Sequence, residues 1–195
     1  NRLRNVIKHS QEQGSRVKAK NDARAEELAM NRRYKGGHQL LLENQNQEVT
    51  MSDPFQDVDS AGIEFAEATA KTMEIRQSEP AMEKIVNDYL TELDFTTDRP
   101  TVEVGCGPGA ISRRIAQQAK GTQVIGFDPS SNYIDIARNQ AGALNNLEFQ
   151  VFDGDRIPLN DGAAESVIMH TVLSHVIDPS KLIVEAYRVL GHGGK

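Results

Sequence analysis

Val102-Glu103-Val104-Gly105-Cys106-Gly107-Pro108-Gly109 is the stretch on which the reading of this chain turns. An apolar run with one acidic interruption ends at Gly105, three glycines fall within five residues, and an amphipathic segment follows at once. Gly105 permits the sharp turn by which a strand leaves a sheet. Gly107 removes a side chain where a ligand would approach the backbone. The free amides of the helix start that follows add donors and positive potential. A plain strand-to-helix turn needs no such density of glycine, so the stretch reads as a ligand-binding loop. The loop alone leaves the ligand open, because Gly105, Gly107 and Ala110 also satisfy the looser dinucleotide pattern with alanine in third place. Glu103 narrows the choice. A carboxylate inside an apolar strand is costly to bury unless something pairs with it. A cationic ligand group would do so, whereas a pyrophosphate would be repelled. Pro108 likewise fits a ligand that uses fewer loop amides than a diphosphate.

Outward from the loop, short apolar strands alternate with amphipathic helices. Strands are predicted over 101–104, 123–127, 147–152 and 166–170, and helices over 110–119, 132–140 and 179–190. Such alternation predicts an α/β fold, a Rossmann-like doubly wound parallel sheet with helices on both faces. The last helix has Asp178 as cap and Pro179 at its first position, with Leu182, Ile183, Ala186, Val189 and Leu190 on one stripe. Upstream, 53–60 reads as a loop. Residues 61–76 then carry Ile63, Ala66, Ala70, Met73 and Ile75 at helical spacing. Pro80 opens a second helix to about 90, after Ser78 as its cap, with Met82, Ile85, Val86 and Tyr89 on one face. Thr96-Thr97-Asp98-Arg99-Pro100 is a linker. The predicted organisation is an extension over 1–52, an N-terminal helical cap segment over 53–99 and a ligand-binding domain over 100–195.

The 195 residues, 38% of them apolar, suffice for one domain with a core plus a tail. Charge is uneven: residues 1–50 carry 10 Lys and Arg against 6 Asp and Glu, while 51–195 carry 12 against 22. The basic, apolar-poor first part reads as disordered or loosely helical. The acidic remainder, at −10, gives no electrostatic support to a nucleic-acid or anionic-membrane partner. One cysteine excludes a disulfide framework and a thiolate zinc site within the chain, and no metal site is predicted. Apolar runs of four residues or fewer give no membrane insertion and no secretory signal, which fits a cytoplasmic setting. The start at Asn1 and the end at Gly193-Gly194-Lys195 read as those of a fragment, and Met51-Ser52-Asp53-Pro54 reads as a plausible original start. Oligomeric state is not legible.

Asp128 closes the second strand, 19 residues beyond Gly109. A carboxylate at a strand's C-terminal end beside a glycine loop is placed to accept two hydrogen bonds from ribose hydroxyls, which points to an adenosine-containing ligand. The alternative is a cap for the helix after Pro129, with Ser130 and Ser131 competing for that position.

The pattern apolar, acidic, apolar, Gly-x-Gly-x-Gly, with Glu103 to Gly109 matching it in full, resembles the first motif of class I S-adenosylmethionine-dependent methyltransferases. More narrowly it resembles the small-molecule branch that includes ubiquinone/menaquinone-type enzymes. The resemblance implies S-adenosyl-L-methionine as cofactor. Glu103 would lie near its methionine end, Gly105, Cys106, Gly107 and Gly109 would pack against it, and Asp128 with Pro129 would flank the ribose. In the family an aspartate five residues before a proline reads the adenine amino group. Counting back from Pro158 gives Asp153, with Gly154 beside it, and leaves Asp155 as the alternative. The strand end His170 to His175 would face the cofactor's reactive side. His170 or His175 is a candidate general base; the alternative is loop structure or substrate packing without proton transfer. The implied activity is methyl transfer to a small-molecule acceptor by in-line displacement. An NAD(P)-binding oxidoreductase and a non-catalytic S-adenosylmethionine-binding module are the competing readings. No Asn/Asp-Pro-Pro-aromatic motif of nucleic-acid methylation occurs in the fourth strand. Two departures stand out. Ala164-Glu165 replaces the family's Phe-Asp, which predicts looser packing at that corner, and Gly191-His192 replaces Lys-Pro. The family sheet runs 3-2-1-4-5-7-6 and four of its strands are present. The expectation is a domain truncated before the fifth strand, with strand four as a bare edge, weak cofactor binding and no turnover.

Overall fold

The computed structural model describes residues 53–195, and the reading of 1–52 as an extension lies outside the described residues. The described residues belong to one compact unit, Met51–Lys195. Four strands, β1 (Thr101–Val104), β2 (Val124–Asp128), β3 (Leu147–Val151) and β4 (Ser166–Ile168), form a parallel sheet in the order β3-β2-β1-β4. Helices α4 (Ala110–Gln118), α5 (Ser131–Gln140) and α6 (Pro179–Val189) follow β1, β2 and β4, and α1 (Val58–Ala61), α2 (Ile63–Gln77) and α3 (Pro80–Leu90) precede the sheet. All residues of β1 and β2 are buried, as central strands covered on both faces must be.

Side-chain alternation along the strands divides the core in two. Val102, Val104, Ile125 and Phe127 face the layer of α6, where they meet Leu182 and Val189. On the opposite face Val124 and Ile168 pack with Val86 and Leu90 of α3 and with Ile111 and Ile115 of α4. Glu103 is on this second face, aligned with Gly126 of β2 and Ile168 of β4. Gly126 is needed there for space: a Cβ would fall 2.7 Å from Phe149 and 2.9 Å from Ser112 Oγ. The row Phe149–Gly126–Glu103–Ile168 therefore seats α4 and α5 closely on the sheet.

The doubly wound parallel sheet expected from the sequence is observed, with local corrections. Residues 58–61 are helical rather than loop, because Asp57 accepts the Ser60 amide at 3.1 Å and caps a short turn. Ser78 caps the end of α2, its hydroxyl donating to the Ile75 carbonyl at 2.7 Å, and Glu79 holds the N-cap position before Pro80. Ile63, Ile75, Ile85 and Ile183, assigned to core stripes by spacing, are exposed, and Ala66, Ala70, Val86 and Leu182 carry the contacts instead. β4 ends at Ile168, and just beyond it Thr171 takes a left-handed φ of 58°.

The corner at Ala164-Glu165 is closed rather than loosened. Ala164 is fully buried and forms a parallel bridge with Leu190, so its small side chain lets the chain after α6 come alongside. Arg99 grips the Glu165 carboxylate through Nε at 2.9 Å and through Nη2. Arg188 donates to the carbonyls of Leu159 at 2.9 Å and Ile157 at 3.0 Å. Nor is the β4 edge bare along its length: Lys195 donates to Glu165 O at 3.0 Å and accepts from Val167 N at 2.8 Å, one parallel rung.

Asp59 of α1 caps α5 from outside. Its carboxylate accepts from the Ser130 and Ser131 hydroxyls and from the amides of Ser131 at 2.9 Å and Asn132 at 3.2 Å. Partial desolvation alone would raise this carboxyl, but these bonds outweigh it and hold it at about 2. A carboxyl depressed in the folded state stabilises fully above its unfolded value, near 3.8, and loses that contribution as pH falls toward 2. Asp59→Ala is expected to cost about 1 kcal/mol at pH 7, the scale of a lost helix cap. In urea unfolding followed by circular dichroism, the gap to the unsubstituted chain should narrow as the pH drops below about 4.

Candidate functional site

The C-terminal ends of β1, β2 and β3 and the exit of β4 converge on the glycine loop. The amides of Gly105 and Cys106 both donate to Phe127 O, at 2.7 and 3.0 Å, pinning the loop to the end of β2. Gly105, Gly107 and Gly109 have φ of 70°, 52° and 81°, all left-handed. Their surroundings differ. A Cβ at Gly105 would fall 2.2 Å from Val172, and one at Gly109 would fall 2.5 Å from Phe149, so packing accounts for both. At Gly107 the nearest atom is the Met73 sulfur at 3.6 Å, which leaves the cradle at this one position. Arg113 holds α2 over the loop, pairing with Glu74 while donating to Pro108 O at 2.9 Å.

Asp128 is tied directly to this cradle. One carboxylate oxygen accepts the Gly107 amide at 2.8 Å and the other accepts the Ser130 amide at 2.9 Å. Ser130, not Asp128, caps α5, its hydroxyl accepting the Tyr133 amide at 3.1 Å. Each Asp128 oxygen keeps a further lone-pair direction for an outside donor. Burial pushes this carboxyl up to about 6.

Glu103 lies beneath the loop, only 2% exposed, and accepts a hydrogen bond from Ser112 Oγ. Among the described residues no cation pairs with it. Burial, and secondarily the charge of Asp128, push its carboxyl up to about 8 against the pull of Ser112 and Arg113. Cys106 offers the site only its backbone. Its thiol packs with Ile134, Ala137 and Phe149, and burial, with the nearby Asp128 and Glu103, raises it well above the usual value.

Asp153 is exposed at the end of β3. Its Oδ1 accepts the amides of Asp155 at 2.9 Å and Arg156 at 2.8 Å, and its Oδ2 has no partner among the described residues. Gly154 faces Pro129, whose ring would lie 3.9 Å from a Cβ there. Asp155 is turned away into an ion pair with Lys181 at 2.8 Å.

The two histidines are not equivalent. His170 Nε2 lies 3.2 Å from Gln77 Nε2, and its Nδ1 lies 3.4 Å from the Tyr89 hydroxyl. One tautomer serves both contacts: the Gln77 amide donates to Nε2, and Nδ1–H donates to the tyrosine oxygen. Burial, with Arg76 and Arg114 nearby, holds His170 below the usual imidazole value. His175 instead points Nδ1 at Asp53 Oδ2, 2.6 Å away, and its ring packs against Phe55 at a centroid distance of 4.9 Å. Sequence reasoning passed over Asp53, Gln77 and Met73 as site residues and took Tyr89 only as part of a helix face. The spacing located their helices and loop, but no local signal marks a contact that spans 93 or 122 residues.

A parallel sheet in this order, a glycine loop after its first strand, a carboxylate within that strand and another closing the second define the class I S-adenosylmethionine-dependent methyltransferase fold. Residues 102–195 match the family described as methyltransferase domain. The demethylmenaquinone methyltransferase of Tropheryma whipplei is 31% identical over 103 residues, covering 53% of this chain and 42% of that relative. The ubiquinone biosynthesis O-methyltransferase of Coxiella burnetii is 30% identical over 108 residues, covering 55% and 45%. The chain thus spans less than half the length of these curated relatives. In three dimensions it resembles a SAM-dependent methyltransferase from Aquifex aeolicus with a TM-score of 0.53, at 18% identity over 62% of this chain and 66% of that one.

Gly105→Ala is expected to destabilise the protein by about 2–4 kcal/mol, combining left-handed strain with overlap on Val172. Gly107→Ala, with strain but only ordinary contact with the Met73 sulfur, should cost about 1–2 kcal/mol. Chemical denaturation of the two variants side by side measures the difference.

Proposed function

We propose that this chain binds S-adenosyl-L-methionine and serves methyl transfer to a small-molecule acceptor. The observation that carries this reading is the buried Glu103 carboxyl, which has no cationic partner among the described residues and lies beneath a glycine cradle tied to Asp128. Bound S-adenosylmethionine supplies a methyl group on a positively charged sulfur. Glu103 gives the methionine end a negative charge in a low-dielectric setting. The open position at Gly107 admits the ligand backbone-close, Asp128 accepts from the ribose hydroxyls, and the free Oδ2 of Asp153 accepts from the adenine amino group. Met73 of α2 lies over the loop at Gly107. Transfer from such a donor then depends mainly on holding an acceptor in line. The names of the quinone-biosynthesis relatives favour a small aromatic acceptor of that kind. The charge of −10 on residues 51–195 disfavours nucleic acid. A cytoplasmic setting belongs to this reading and rests on the single, buried, free Cys106. Among the described residues no helix is long and apolar enough to cross a membrane.

Isothermal titration of the chain with S-adenosylmethionine and with NADH tests the proposal. Binding of the first and not the second is expected, and the reverse overturns it. Glu103, pushed up to about 8, is largely protonated at pH 7, and a bound cation favours its ionised form. Binding should therefore release protons at pH 7, read from the dependence of the heat on buffer ionisation enthalpy, and Glu103→Gln should abolish the release. Asp128, near 6, is mostly ionised at that pH and adds little. Asp128→Ala should weaken binding by roughly 1–3 kcal/mol.

A further inference from the structure

Asp53 and Phe55 stand outside everything assigned above, yet both touch His175. Asp53 Oδ2 lies 2.6 Å from His175 Nδ1, and the Asp53 Oδ1 accepts the Phe55 amide at 2.9 Å, so the carboxylate is held on both sides. The little desolvation it suffers would raise its value, but the His175 and Phe55 bonds prevail and lower it. Phe55 packs on the histidine ring and, at a centroid distance of 5.7 Å, on Phe65 of α2, which fixes the ring plane. No hydrogen bond among the described residues occupies His175 Nε2, and the side chain is 37% exposed. The turn that carries it, closed by His175 N to Val172 O at 2.9 Å, packs through Val172 directly on Gly105 of the cofactor loop. His170, by contrast, has both ring nitrogens engaged. Asp53 is the charged group that pairs with His175 among the described residues. Asp178, the nearest acid along its own segment, is committed to the Lys181 amide at 3.0 Å as the cap of α6.

We propose that Asp53 is a positioning residue that fixes His175 as the Nδ1–H tautomer, so that Nε2 is the proton acceptor for a methyl acceptor bearing an O–H or an acidic C–H. The inference rests on the methyltransferase reading above. The proton of the acceptor's X–H bond passes to the Nε2 lone pair, and the electron pair it leaves stays on X as the nucleophile. The imidazolium so formed keeps its Nδ1–H bond to the Asp53 carboxylate, which offsets the new charge. An acceptor without a removable proton would have no use for this pair.

Nitrogen-15 spectra of the histidine rings in the full chain test it at about pH 8.5, well above the reference imidazole value. His175 should appear as the Nδ1–H tautomer. Asp53→Asn should shift the tautomer ratio toward Nε2–H by about tenfold or more, the weight of a charged hydrogen bond. Asp53→Glu should restore most of it. The His170 signals should stay in place in both variants, which reports that the fold is kept. Bound S-adenosylmethionine should displace the His175 Nε2 signal relative to bound S-adenosylhomocysteine, because only the former carries a positive charge on its sulfur. An unchanged tautomer in Asp53→Asn overturns the positioning role. Identical Nε2 signals in the two complexes overturn the proton-acceptor role. If calorimetry finds that neither nucleoside binds, the methyltransferase reading fails and the proton-acceptor role with it, whereas the tautomer comparison still decides the Asp53–His175 pair.

Discussion

A carboxyl group buried in the middle of a parallel sheet, with a single hydroxyl for company, constrains the rest of this structure. Glu103 occupies a central strand between Gly126 and Ile168, and the low-dielectric surroundings favour its neutral form. An apolar residue there would pack better by itself. The acid is tolerated because Gly126 leaves room for it, Ser112 satisfies one oxygen and the loop above it is open at Gly107. The same layer brings Asp128 to the Gly107 amide, which ties the end of β2 to the loop after β1. Two carboxyls are thereby held close to one cradle with their values raised by burial, a combination that suits a positively charged ligand better than an anionic one.

The upstream segment completes this body in place of being an appendage to it. α2 lays Met73 over the glycine loop and anchors there through Glu74 and Arg113. α1 caps α5 through Asp59, next to the residue that would face the ribose. The chain before α1 reaches His175 through Asp53. Three short contacts thus tie one segment to the glycine loop, to α5 and to the turn that carries His175. The two histidines diverge in consequence. α2 and α3 use up His170, and Asp53 leaves His175 with one nitrogen unoccupied among the described residues.

At the opposite end of the sheet, polar contacts do what an aromatic ring does in the resembled family. Ala164 lets the chain near Leu190 come close enough to pair with it, and Arg99 and Arg188 satisfy the carbonyls and carboxylates left around the corner. Glu165 is only slightly exposed, and its desolvation is offset by the two-pronged Arg99 contact. The departure from the family pattern is a local exchange of packing for ion pairing, and the site at the other end of the strands is untouched by it.

Local chemistry made the glycine loop, the strand–helix alternation, the Asp178-Pro179 helix start and Asp128 at a strand end readable from the sequence alone. Each depends on backbone freedom or on period along the chain, which neighbouring residues fix. Helix faces were less legible: Ile63, Ile75, Ile85 and Ile183 fit the periodicity yet face solvent, because which stripe is covered depends on what packs opposite. The direction of the Cys106 side chain, toward Ile134, Ala137 and Phe149, was not legible for the same reason. The absence of a cation beside Glu103 among the described residues, the Gly107–Asp128 bond and the division of labour between His170 and His175 belong to the tertiary structure. They arise from groups tens of residues apart whose approach is set by the packed layers, and no local pattern encodes that distance.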